Sequence, residues 1–104
     1  MLVLRFGSDG VWRDCCDQSH MGRRWGAERA RSLSRRLQQL EAMTSLHDLG
    51  FMPFDSKKRP DGVIEIAVDD DIALFVEEIA RQEEGTLNFT LLVSAVGARS
   101  VAVR

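Results

Sequence analysis

The spacing of apolar residues divides the chain into a short opening strand, a helical half and a β-rich half. Residues 2–6 alternate apolar types around Arg5 and read as a strand. Gly7-Ser8-Asp9-Gly10 is a turn, and Ser8 or Asp9 can cap a helix that starts there. Residues 11–19 predict that helix, with Val11, Trp12, Cys15 and Cys16 on one face, and Gly22 allows a bend after it. The clearest signal lies in residues 27–43, where Ala30, Leu33, Leu37 and Leu40 recur at three, four and three. That stretch is rich in Ala, Arg, Leu, Gln and Glu, all strong helix formers. The helical elements therefore form a pair joined near Gly22 to Gly26. One further turn over residues 46–49, capped by Thr44 or Ser45, ends at Gly50.

From residue 51 the texture changes. Phe51-Met52-Pro53-Phe54 is an apolar loop, residues 55–59 form a mostly basic loop, and Pro60-Asp61-Gly62 is a strong turn signal. Residues 63–68 are β-branched, with Ile64, Ile66 and Val68 on one face. Asp69-Asp70-Asp71 reads as a turn. Residues 72–84 fit two periods: Ile72, Leu74 and Val76 suit a strand, whereas Ile72, Phe75, Val76 and Ile79 suit a helix. Residues 87–96 read as a strand, Gly97 as a turn, and residues 101–103 as a further pairing segment.

Length and composition frame this pattern. The chain has 104 residues, 44% hydrophobic and 29% charged, which suits one ordinary folded domain spanning 1–104. No apolar run is long enough to span a bilayer, and the opening segment is too short for a secretory signal, so a cytoplasmic protein is expected. Cys15 and Cys16 are adjacent and poorly placed for a disulfide with each other. With His20 as the nearest imidazole they fall short of a zinc set, and no metal or cofactor is expected. Net charge is −2, which argues against general nucleic-acid binding. Its distribution is uneven. Residues 1–60 hold eleven Lys and Arg against seven Asp and Glu, a net of +4, while residues 61–104 hold three against nine, a net of −6. Either the halves attract each other or the surface is polarised.

The segment Trp25-Gly26-Ala27-Glu28-Arg29-Ala30, with Leu33, Arg36-Leu37, Leu40, Leu46, Asp48-Leu49 and Pro53 after it, resembles the central helix of RelE-like plasmid-killer toxins. The likeness covers about the first half of the chain. It implies an α+β fold: one strand, a two-helix hairpin, then an antiparallel sheet of three to four strands, with Ile72–Ile79 as a strand. It also implies an activity, cleavage of messenger RNA with or without the ribosome, and a neutralising partner, the antitoxin. Basic residues before the second strand are matched by Lys57, Lys58 and Arg59. At the aromatic-Arg pair that opens the family's third strand, this chain has Ile72 and Ala73, and it has no Tyr for a terminal acid–base cluster.

Cleaving RNA through its own 2′-hydroxyl needs a base, a cation beside the phosphorane and an acid for the leaving oxygen. Lys57, Lys58, Arg59 and Arg99 are the candidates for the cation, with Arg104 beyond them. His20 and His47 fall in the helical half, and Asp69-Asp70-Asp71 is more often a solvated turn than a divalent-ion site. The cluster Arg23, Arg24, Arg29, Arg31, Arg35 and Arg36 points to contact. Arg23, Arg24, Arg31, Arg35, Lys57, Lys58 and Arg59 form the expected RNA-binding set, because guanidinium forks suit phosphates. The plainer alternative is a solvated helix pairing with the acidic half. Three functions are compatible with these residues: a toxin that cuts messenger RNA, a non-catalytic toxin-fold module that binds a partner protein, and a homodimerising domain.

Overall fold

The computed structural model describes residues 2–43, 46–79 and 89–99. The chain is α+β. Strand β1 (Leu2–Phe6) precedes three helices, α1 (Asp9–Cys16), α2 (Gln18–Trp25) and α3 (Ala27–Glu41). A 3₁₀ turn over Leu46–Phe51 leads into β2 (Ser56–Lys58), β3 (Ile64–Ala67), β4 (Ile72–Ile79) and β5 (Phe89–Ala98).

Local chemistry explains the helix boundaries. The Val11 amide donates to Ser8 Oγ at 3.2 Å, which caps α1. Asp17 then leaves the helical region at φ −84°, ψ 106° and accepts the His20 amide at 3.1 Å, which caps α2. The expected helix over 11–19 with a bend at Gly22 is therefore corrected: the break falls at Asp17, Gly22 lies inside α2, and the described residues of the helical layer form three helices. The turn into α3 falls on Gly26, at φ 86° and ψ 159°, a region nearly closed to residues with a Cβ. Its amide donates to the Gly22 carbonyl at 3.1 Å and closes α2. The 3₁₀ turn runs through Gly50 to Phe51.

The sheet order is β1-β5-β4-β3-β2. β1 pairs in parallel with β5 and the other neighbours are antiparallel, so the sheet is mixed. Pairing on both sides settles the ambiguous Ile72–Ile79 as a strand. Other expectations change. The basic loop contributes a strand, with Lys57 opposite Glu65 and Lys58 opposite Ile64. Gly97 lies inside β5 opposite Ala73 rather than in a turn. Ser94 is an extra residue between Val93 and Ala95, where the register shifts, and its hydroxyl donates to the Phe75 carbonyl at 3.0 Å. Residues 44 and 45, 80–88 and 100–104 lie outside the described residues, and with them the Thr44 or Ser45 cap, the start of the 87–96 strand and the 101–103 pairing.

The helices cover one face of the sheet. Leu33, Leu37 and Leu40 of α3, with Met21 of α2 and Cys15 of α1, pack with Ile64, Ile66, Leu74, Val76, Leu91 and Val93 in one core. Ala30, Leu33, Leu37 and Leu40 are all buried, as their spacing predicts. Trp12 departs from its expected place in that face and stands 48% exposed. The register sets Lys57, Glu65, Phe75 and Ala95 in one row, and Arg5, Leu92 and Glu77 in another, on the opposite face of the sheet.

Substitutions can test this packing. Leu40→Ala removes a fully buried side chain and should cost about 2–5 kcal/mol in urea unfolding. Gly26→Ala should cost about 1–3 kcal/mol. Gly22→Ala, whose new Cβ would meet nothing within 4 Å, should instead gain roughly 0.4–1 kcal/mol.

Candidate functional site

Helical periodicity divides the arginine cluster. Each residue advances about 100° around α3, so Arg29 and Arg36 share one flank of the buried stripe, while Arg31 and Arg35 lie together toward the solvent side, where they border the space beside α2. The flank of Arg29 and Arg36 meets the β3–β4 connection. Arg29 Nε donates to Asp69 Oδ2 at 3.0 Å, and its Nη2 donates to Asp71 Oδ2. Arg36 donates to the carbonyls of Ala67 at 2.7 Å and Val68 at 3.2 Å, and lies 4.3 Å over the Phe54 ring. Burial, then the neighbouring charge of Arg35, holds the Arg36 guanidinium below its ordinary pKa.

The Asp69-Asp70-Asp71 turn is thus an anchorage for cations of this chain. Asp69 Oδ1 also accepts the amides of Asp71 at 2.7 Å and Ile72 at 2.9 Å. Arg99 approaches from the end of β5, with Nη1 3.1 Å from the Asp69 carbonyl and Nη2 3.9 Å from Asp55 Oδ2. Partial burial pushes the Asp69 carboxyl up. The two amides and Arg29 outweigh it and leave the pKa below the ordinary 3.8. Among the described residues no group of three or more His, Cys, Asp or Glu is arranged to hold a metal ion.

A second cluster ties α1 to α2. Asp14 Oδ1 lies 2.7 Å from His20 Nε2 and 3.5 Å from Arg24 Nε, and the Asp14 carbonyl accepts Trp25 Nε1–H at 3.2 Å. Arg24 also stacks 4.6 Å over the Trp25 ring. His20 therefore sits in the helical layer as a structural partner, away from the loop cations. The thiols are poorly suited to attack. Burial first, then Cys16 and Asp14, pushes Cys15 up to about 12, and burial with Glu41 raises Cys16.

The cations expected to bind RNA are spread over α2, α3 and the segment around β2. Arg59 Nη2 is 3.1 Å from Asp61 Oδ2. Lys57 and Lys58 are exposed on the edge strand β2, and their alternation turns them to opposite faces of the sheet. Ala73, which stands where the toxins this chain resembles have the Arg of their aromatic-Arg pair, is 0% exposed. Arg23, Arg31 and Arg35 are exposed and make no ion pair or hydrogen bond among the described residues.

Arg31 and Arg35 flank a groove of about 550 Å³ between α2 and α3. Its floor is Gly22, Ala27 and Ala30, and Gln18, Ser34 and Gln38 complete its walls. Sequence reasoning marked the two arginines but missed this groove. Its signal was the 27, 31, 34, 38 spacing beside Gly22 of α2.

The chain matches no family model, no curated protein and no solved structure. Its functional reading therefore rests on its own residues and on the resemblance they carry. No helix among the described residues is long and apolar enough to cross a membrane.

The Asp69 anchorage gives a pH test. A lowered folded-state pKa contributes stability that is present above the ordinary carboxylate value and is lost as pH falls through the folded one. Asp69→Asn should therefore reduce stability at pH 7 and flatten the acid limb below about pH 4. Urea midpoints measured from pH 7 to about 2.5 read this out.

Proposed function

We propose that this chain is the toxin-type subunit of a toxin–antitoxin pair, a RelE-like relative that binds a partner protein rather than cutting RNA. Three features support the RelE-like plan: the Leu-striped α3, the strand–helices–strands order, and a helical layer confined to one face of the sheet. The resemblance carried by residues 25–53 supplies the family.

One observation favours binding over cleavage: two of the four cations that could steady a phosphorane, Arg59 and Arg99, are held in internal bonds. Arg59 is paired with Asp61, and Arg99 with the Asp69 carbonyl and Asp55. A cation engaged in this way is not aimed at a substrate phosphate, and electrostatic stabilisation depends on donors aimed in advance at the developing charge. His20, held by Asp14, sits with the helices and not with these cations. The endoribonuclease is the second reading, and exposed Lys57 and Lys58 favour it.

Induced expression with mapping of messenger-RNA 5′ ends separates the two. Under the binding reading growth continues, no new 5′ ends appear, and a small partner co-purifies in a fixed ratio. New ends that vanish in Lys57→Ala/Lys58→Ala would establish the nuclease instead.

A further inference from the structure

We infer that the groove between α2 and α3 is the docking surface for an acidic amphipathic helix of a partner protein. This rests on the reading of the chain as a partner-binding subunit, and it names the surface and the chemistry of its occupant.

Shape comes first. Ala27, Arg31, Ser34 and Gln38 advance by four, three and four, which keeps them on one side of α3 over about 16 Å, or three turns. A helix laid in a groove presents anchors at that repeat. The floor carries nothing larger than a methyl group. A Cβ on Gly22 would have no neighbour within 4 Å, so the space directly above the α2 backbone is open. Ridges of an incoming helix can settle there.

Charge then selects the occupant. Arg24, Arg29 and Arg36 each reach a carboxylate or a carbonyl within the fold. Arg31 and Arg35, one helical turn apart, reach none among the described residues. Glu28, on the same helix, lines a separate cavity with Arg29 and the Asp69–Asp71 turn. Two guanidinium forks in this spacing match two carboxylates one turn apart on a facing helix. Arginine is among the residues enriched at the energetic centres of protein interfaces. RNA fits less well. The groove is lined by no aromatic side chain on which a base would stack, and it offers only two cations.

Site-specific photo-cross-linking tests this. A photoreactive residue replaces Ser34 in the full chain, expressed in the cells that naturally make it, and the adduct is mapped by mass spectrometry. The expected adduct is with a second polypeptide, on a segment carrying Asp or Glu at i and i+4. Arg31→Glu/Arg35→Glu should cut its yield at least about tenfold. Gly22→Leu, which fills the floor without changing charge, should do the same, while Arg23→Glu outside the groove should not. Circular dichroism checks that each variant is folded. An adduct with RNA, with another copy of this chain or with a segment lacking paired acids overturns the inference, as does undiminished yield in both groove variants. If a partner co-purifies but gives no adduct at Ser34, the groove falls and the partner-binding reading stands. If nothing co-purifies, that reading fails and the groove fails with it.

Discussion

Dehydration of one stripe on α3 organises the rest of the molecule. Ala30, Leu33, Leu37 and Leu40 leave water only if they face the sheet, and that single requirement fixes the rotation of the helix about its axis. The rotation has no remaining freedom to place the other side chains. Positions 29 and 36 must flank the β3–β4 connection, and positions 31 and 35 must turn toward solvent, at the rim of the groove beside α2. The two pairs then meet opposite fates. One finds the carboxylates of Asp69 and Asp71 and the carbonyls of Ala67 and Val68. The other finds Gly22 and solvent. The apolar stripe thus decides which arginines act as structural pegs and which are left for something outside the chain.

Periodicity made α3 legible in the sequence alone, because a three-and-four repeat of Leu has one good solution. It also showed that the arginines occupy more than one face. Which flank would meet acidic residues was not legible, since that depends on where a turn forty residues away comes to rest. The Asp17 break was hidden for a different reason. Asp inside a polar helical run looks like any other surface residue, yet its carboxylate competes for a nearby amide and restarts the helix. Residues 72–79 carried both periods at once, and only backbone pairing with β3 and β5 on either side separated them. Gly97 misled because glycine marks turns more often than strand interiors, whereas here it sits opposite the small Ala73.

The charge asymmetry along the chain also takes on structural meaning. Among the described residues the basic first half meets the acidic second half at Arg29, which pairs with Asp69 and Asp71. Arg99, from the second half itself, reaches the same three-residue turn from a strand end. Such a turn does more than reverse the chain. Asp69 organises its own loop through two amides and at the same time holds α3 against the hairpin, so loop geometry and layer packing are coupled through one carboxylate.

Among the described residues β1 has a single neighbour in the sheet, β5, and the paired residues Leu2 and Phe89 lie 87 positions apart in sequence. The β2–β3–β4 portion of the sheet can zip through near contacts, but β1 cannot join until the distant β5 is in place. Closing so long a loop is entropically modest, about 0.6 kcal/mol for each doubling of its length, yet it defers the reward until late. During synthesis β1 is thus made well before the strand that secures it. In that interval the bare flank of β5 is exposed to any other extended segment that reaches it first.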